Sequence, residues 1–177
     1  RGRGGGGGMG GAGRCWGALA HGGAGTGGVR RHFKREGMAR VRVAMAAAEK
    51  GHAGGIRFAI EASLPPRVLR RHRHARSRAI DVFSQLRVWD TEANTGVLLY
   101  LLWADRAIEV VTDRGIAALI PASAWETVCA EVASSLHTMP PADAVLAGIA
   151  RIGALLRAAL PVQDTTPDEL PDAPVVL

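Results

Sequence analysis

The hydrophobic and polar positions change period several times along the chain, and each change marks an element. Met38–His52 is Ala-rich, with Val41, Met45 and Ala48 at helical spacing, and it stops at Gly51. Gly55–Ala62 switches to a period of two: Ile56, Phe58 and Ile60 alternate with Arg57, Ala59 and Glu61, which predicts a strand with one buried face. Pro65-Pro66 breaks the chain and opens a helix. Its apolar positions are Val68, Ala75, Ala79, Val82, Phe83 and Leu86, and the opposite face carries Arg70, Arg71, Arg73, Arg76 and Arg78.

Gly96–Ala104 is almost wholly apolar, the pattern of a central strand covered on both sides. Arg106–Thr112 reads as the second arm of a hairpin turned at Ala104-Asp105. Ser123-Ala124-Trp125-Glu126 is a capping-box pattern that predicts a helix with Trp125, Val128, Cys129, Val132 and Leu136 on one stripe. After Pro140-Pro141 a last helix is expected over Ala142–Leu160, with Val145, Ile149, Ile152 and Leu156 inward. The order α-β-α-β-β-α-α predicts an α/β fold: a small mixed sheet with helices on both faces. Its first two strands are parallel and its third antiparallel to the second.

Composition sets the limits of this domain. Most of the 23 glycines lie in Arg1–Gly37, where apolar side chains are too sparse to offset chain entropy. Residues 1–37 therefore read as a disordered Gly/Arg-rich tail or, since Met9 and Met38 are internal start candidates, as a mis-extended start. Residues 38–160 form the expected domain, and 161–177 an acidic, Pro-rich flexible tail. No window has the length and apolarity of a signal peptide or a membrane span. Cys15 and Cys129 make no disulfide framework, so a reducing cytoplasm is the expected compartment.

Residues 1–87 carry 18 Lys and Arg against 4 Asp and Glu, whereas residues 88–177 carry 4 against 12; together they give the net +6. This split fits a basic face for anions and an acidic half for cations, and equally two halves that attract or simply solvate. The basic helix face lacks interleaved aromatic residues and any nucleic-acid signature, which argues against a nucleic-acid partner. His72 and His74 are two apart and do not share a helix face as metal ligands would. The Gly4–Gly13 run follows no strand and precedes no Gly-Lys-Ser/Thr, so it is not a phosphate loop. No serine or cysteine stands in a nucleophile motif.

One cluster of candidate chemistry remains. If Gly96–Trp103 pairs with Arg106–Asp113 around a two-residue turn, Gly96 opposes Asp113. The loop residues Asp90, Glu92 and Asn94 then meet Asp113 at one sheet edge. Carboxylate and amide oxygens are ligands for Ca2+, Mg2+ or manganese; the alternative is that these residues are turn and loop chemistry. A second candidate edge, at the carboxyl ends of the parallel strands, holds Glu61, Asp105 and Arg106. No organic cofactor is expected.

Several short pieces also resemble a known family in order and spacing. They are Ile56–Ala62, Ala79-Ile80-Asp81-Val82-Phe83, Leu86–Glu92, Asn94-Thr95-Gly96-Val97-Leu98, Ala104-Asp105-Arg106, Glu109-Val110-Val111 and Asp113-Arg114-Gly115-Ile116. From Gly54 to about Leu160 the chain resembles the TPM domain of thylakoid-lumen photosystem-repair proteins and bacterial membrane-associated relatives, above all the short single-domain proteobacterial members. The resemblance implies an α/β sandwich, an acidic divalent-cation site in some members, and an accessory role in membrane-protein assembly or repair with a membrane-protein partner. Its alternative is a metal-dependent acid phosphatase or phosphoesterase. Against the family pattern, Asn94-Thr95-Gly96 stands where Asn/Asp-Asn-Gly is common, and Gly55 where relatives often carry an acid.

Overall fold

The computed structural model describes residues 27, 29, 31, 33–64, 75–161, 170, 171 and 173–177. Its elements are α1 (Arg35–Ala48), β1 (Gly55–Glu61), α2 (Ala75–Gln85), β2 (Gly96–Leu102), β3 (Ala107–Thr112), α3 (Arg114–Ala117), α4 (Ala122–Thr138), α5 (Pro141–Ala159) and β4 (Val175–Val176). The strands form one mixed sheet in the order β3-β2-β1-β4. β1 runs parallel to β2 and to β4, and β3 runs antiparallel to β2. The hairpin has the expected register: Val97 pairs with Thr112 and Leu102 with Ala107, and the Asp113 amide donates to the Gly96 carbonyl at 2.9 Å.

Each face of the sheet carries its own core. On one side Ile56, Phe58, Ile60, Val97, Leu99 and Leu101 meet the inward stripes of α1, α4 and α5. On the other, Ala59, Leu98, Tyr100 and Leu102 meet Ala79, Val82 and Phe83 of α2, together with Leu170. β2 is buried along its whole length, as its unbroken apolar run predicts.

Several local expectations need correcting. β1 buries both faces: Arg57 and Glu61, expected to point outward, are buried along with the strand's apolar residues. Arg78, expected on a solvated face of α2, is buried as well. The Ser123 capping box does not form. α4 starts two residues earlier, behind Pro121, with no side-chain cap, and Ser123 lies inside the first turn.

The core also extends further than expected at both ends. Val29 and Phe33 are buried, and the Phe33 ring lies 5.9 Å from that of Trp103 in an edge-on contact. Within the 161–177 tail, Leu170 is buried and Val175–Val176 adds the fourth strand. Residues 65–74, with His72, His74 and most of the basic face, lie outside the described residues, as do residues 162–169.

Candidate functional site

The loop before β2 is shaped by close backbone approach. A Cβ on Gly96 would lie 1.9 Å from the Val88 carbonyl oxygen, so only glycine lets the loop turn into the strand there. Thr95, buried, donates its hydroxyl to the Ala53 carbonyl at 2.8 Å and its amide to the Thr91 hydroxyl at 2.9 Å. Asn94 takes a left-handed conformation, φ 55°, which asparagine tolerates. Its carbonyl accepts the Gly115 amide at 3.1 Å, which joins the loop to the start of α3.

Asn94 and Asp113 therefore come to one place, as the register argument requires, and Arg114 contacts both, Asp113 through its amide and Asn94 through its side chain. Asp113 caps α3, one carboxylate oxygen accepting the Arg114 amide at 2.7 Å. The Arg114 Nε donates to the Asn94 side-chain oxygen at 3.1 Å. Asp90 is half-exposed and pairs with Arg87 at 3.0 Å, and Glu92 is exposed in the turn. The second Asp113 oxygen, Oδ2, is buried and has no hydrogen-bond partner among the described residues. Among those residues no group of three or more His, Cys, Asp or Glu is arranged to hold a metal ion.

At the other end of the parallel strands, Glu61, Asp105 and Arg106 go separate ways. Asp105 and Arg106 are exposed at the hairpin tip, with the Arg106 guanidinium over the Trp103 ring at 5.9 Å. Glu61 turns inward. One of its oxygens accepts from Arg78 Nε at 2.8 Å and from the Tyr100 hydroxyl at 2.7 Å; the other accepts from Arg78 Nη2 at 3.1 Å. The ion pair with Glu61 holds the Arg78 guanidinium above its usual pKa. Burial, reinforced by Glu61, pushes the Tyr100 phenol far above its ordinary range.

This buried Arg–Glu–Tyr cluster joins β1 and β2 to α2, and sequence reasoning missed it. The available signal was the polar lane Arg57–Glu61 beside Tyr100 of the neighbouring strand. Charged residues on one lane of a covered sheet call for buried partners. As built, the cluster is a structural clamp, since both carboxylate oxygens are engaged by donors.

Three further groups are perturbed. His52 accepts the Gly54 amide at its Nδ1, 3.1 Å away, and burial lowers its pKa below the usual value. Glu109 is raised by burial against the opposing pull of Arg76. Burial pushes the Cys129 thiol up to about 11, so it is not a thiolate nucleophile at neutral pH. No helix among the described residues is long and apolar enough to cross a membrane.

Comparisons with known proteins agree with this architecture. No curated protein matches the chain. Among solved structures, the NMR structure of the BA42 protein from the psychrophilic bacterium Bizionia argentinensis superposes with a TM-score of 0.70 at 25% sequence identity. The match covers 80% of this chain and 92% of that one. The family model described as the TPM domain matches residues 31–155, a span that starts beside the buried Phe33 and ends within α5. The chain belongs to the TPM domain family.

Proposed function

We propose that this TPM domain works as a binding or accessory module, in the assembly or repair of a membrane-protein partner, and that its loop edge is a weak divalent-cation site. The observation that carries the cation site is the unpartnered, buried Oδ2 of Asp113, on a residue whose neighbour Arg114 reaches Asn94. A carboxylate oxygen without a donor in a buried position favours a cation. Weak affinity follows from the neighbours: Arg114 already contacts Asn94, and Asp90 is engaged by Arg87. Few of the six to eight oxygens that Ca2+ requires are then on hand.

Asp113 Oδ2 and the Asn94 side chain would hold the ion, which could polarise a phosphoryl oxygen when bound. A phosphoesterase would also need a nucleophile and its base, and here Asp90 is tied to Arg87 and Asp113 to a helix cap. Support therefore lies with binding over turnover.

The test is thermal melting of the full chain with Ca2+ or Mg2+. At ten times the dissociation constant, binding to the folded state alone adds roughly 1.4 kcal/mol. Asp113→Asn keeps a good N-cap residue while removing the charge, so it should abolish the increment without unfolding the protein. Equal responses in both proteins would sink the cation site. Phosphate-ester hydrolysis by wild type, lost in Asp113→Asn, would replace the accessory reading with the phosphoesterase.

A further inference from the structure

The outer edge of β1 is filled by an unusual occupant. Because the Gly55 amide bonds to Thr95 and the Trp103 amide to the Glu61 carbonyl, the odd-numbered residues of β1 pair with β2. The even-numbered ones face the opposite edge. At one end of that edge the Ile56 amide is taken by the Glu49 carboxylate at 2.6 Å, which stops any ladder from extending further. At the other end β4 pairs in parallel over Ala59–Val175 and Ile60–Val176, and the Leu177 amide donates to the Ile60 carbonyl at 2.9 Å.

So short a ladder gives little affinity by itself, and the seats for side chains do more. Leu170 is buried over Gly55, where a Cβ would come within 2.6 Å of its Cδ1. The Arg57 guanidinium, on the strand itself, donates to the Pro171 carbonyl. Val175 and Leu177 pack against the Leu98–Tyr100–Leu102 core, while Val176 points out to solvent. A leucine seat, a fixed donor for a main-chain carbonyl, and a two-rung parallel slot with alternate apolar seats make up a peptide-recognition site of the strand-addition type.

We propose that the β1 edge is a strand-acceptor site for an extended peptide, and that the chain's own C-terminal segment occupies it in cis. The partner is an extended segment of another chain, with a leucine followed by a main-chain carbonyl for Arg57 and a β-branched pair in parallel register. The segment that fills the site now is joined to α5 by a short connection, which sets a millimolar effective concentration. The cis segment therefore keeps weak partners out and yields to a better-matched strand. This deepens the accessory reading by naming a partner chemistry. A failure here would leave the cation response of Asp113 untouched, so the two ideas fail separately.

The experiment uses the full chain and a fluorescent peptide with the sequence of residues 170–177. Leu170→Asp in the full chain dislodges the cis segment without altering the acceptor, and it should bind the peptide about tenfold or more tightly than wild type does. The same peptide with Asp at its leucine position should bind neither protein. Equal binding by wild type and variant, or no binding by a folded variant, would overturn the proposal. If Leu170→Asp does not fold, a chain with a protease site placed within 163–168 is folded first and then cut. Labelled peptide should then replace the severed segment, and a segment that stays in place against excess peptide would overturn the idea equally.

Discussion

Glu61→Gln tests whether the buried clamp holds the two strands to α2. The substitution keeps size and shape, and glutamine can still bond to Arg78 and Tyr100 in part. What it removes is the negative charge facing a guanidinium on a residue only 9% exposed. Removing one partner of a buried pair leaves the other charge uncompensated, a cost of about 3–5 kcal/mol. Against a typical stability of about 5–15 kcal/mol, that is a large part of the total. With roughly 2–4 °C of melting temperature per kcal/mol for a chain of this size, the drop should exceed about 6 °C.

The cycle is completed in a second background. Arg78→Met alone should be costly because it strands the Glu61 carboxylate. Made on top of Glu61→Gln, it should cost little or restore stability, since the unpaired charge is gone. Tyr100→Phe, which removes one hydrogen bond to a charged acceptor, should cost about 1.5–3 kcal/mol. Urea titrations with a constant slope measure each value. A loss below about 1 kcal/mol for Glu61→Gln, or the same cost for Arg78→Met in both backgrounds, would refute the clamp.

Two predictions concern pH. The folded-state pKa of His52 lies below its unfolded value, so the stability it contributes is present above about pH 6.5 and is lost as pH falls through the lowered value. Melting curves from pH 8 to pH 4 should show this limb, and His52→Gln should flatten it. Cys129 has the opposite sign: its raised value, about 11, means that stability is held below the ordinary thiol value of 9.0 and lost as pH rises toward 11, and Cys129→Ala should remove that step from an alkaline melting series.

The parts of the fold that the sequence displayed are those in which one simple period suffices. The hairpin register followed from the length of two apolar runs and a short turn, and the structure has it. It also brought Asn94 and Asp113 together, but could not show that the Arg114 side chain would take the Asn94 oxygen. A side chain adjacent to a predicted ligand can point either way, and only the left-handed turn at Asn94 and the cap at Asp113 decide it. β4 was illegible for a different reason. Two residues in a proline-rich acidic stretch carry no period, and their place is set by the Leu170 seat and the Arg57 donor contributed by β1.

The misreading of β1 shows where such inference runs out and why the two faces of the sheet differ. Alternation of apolar and polar residues predicts a strand with a wet face only if nothing covers that face. Here α2 and the C-terminal segment do cover it, and Arg57 and Glu61 are tolerated because each meets a partner, Pro171 for one and Arg78 with Tyr100 for the other. The opposite face needs no such devices, because α1, α4 and α5 meet it with apolar side chains, Met45 and Trp125 among them. Apolar packing against three helices has no alternative partner to exchange with, whereas a main-chain carbonyl on a guanidinium and a two-rung ladder can be matched by another chain. Polar anchoring on the thinly covered face therefore secures the native register of the C-terminal segment and also makes that segment the replaceable part of the fold.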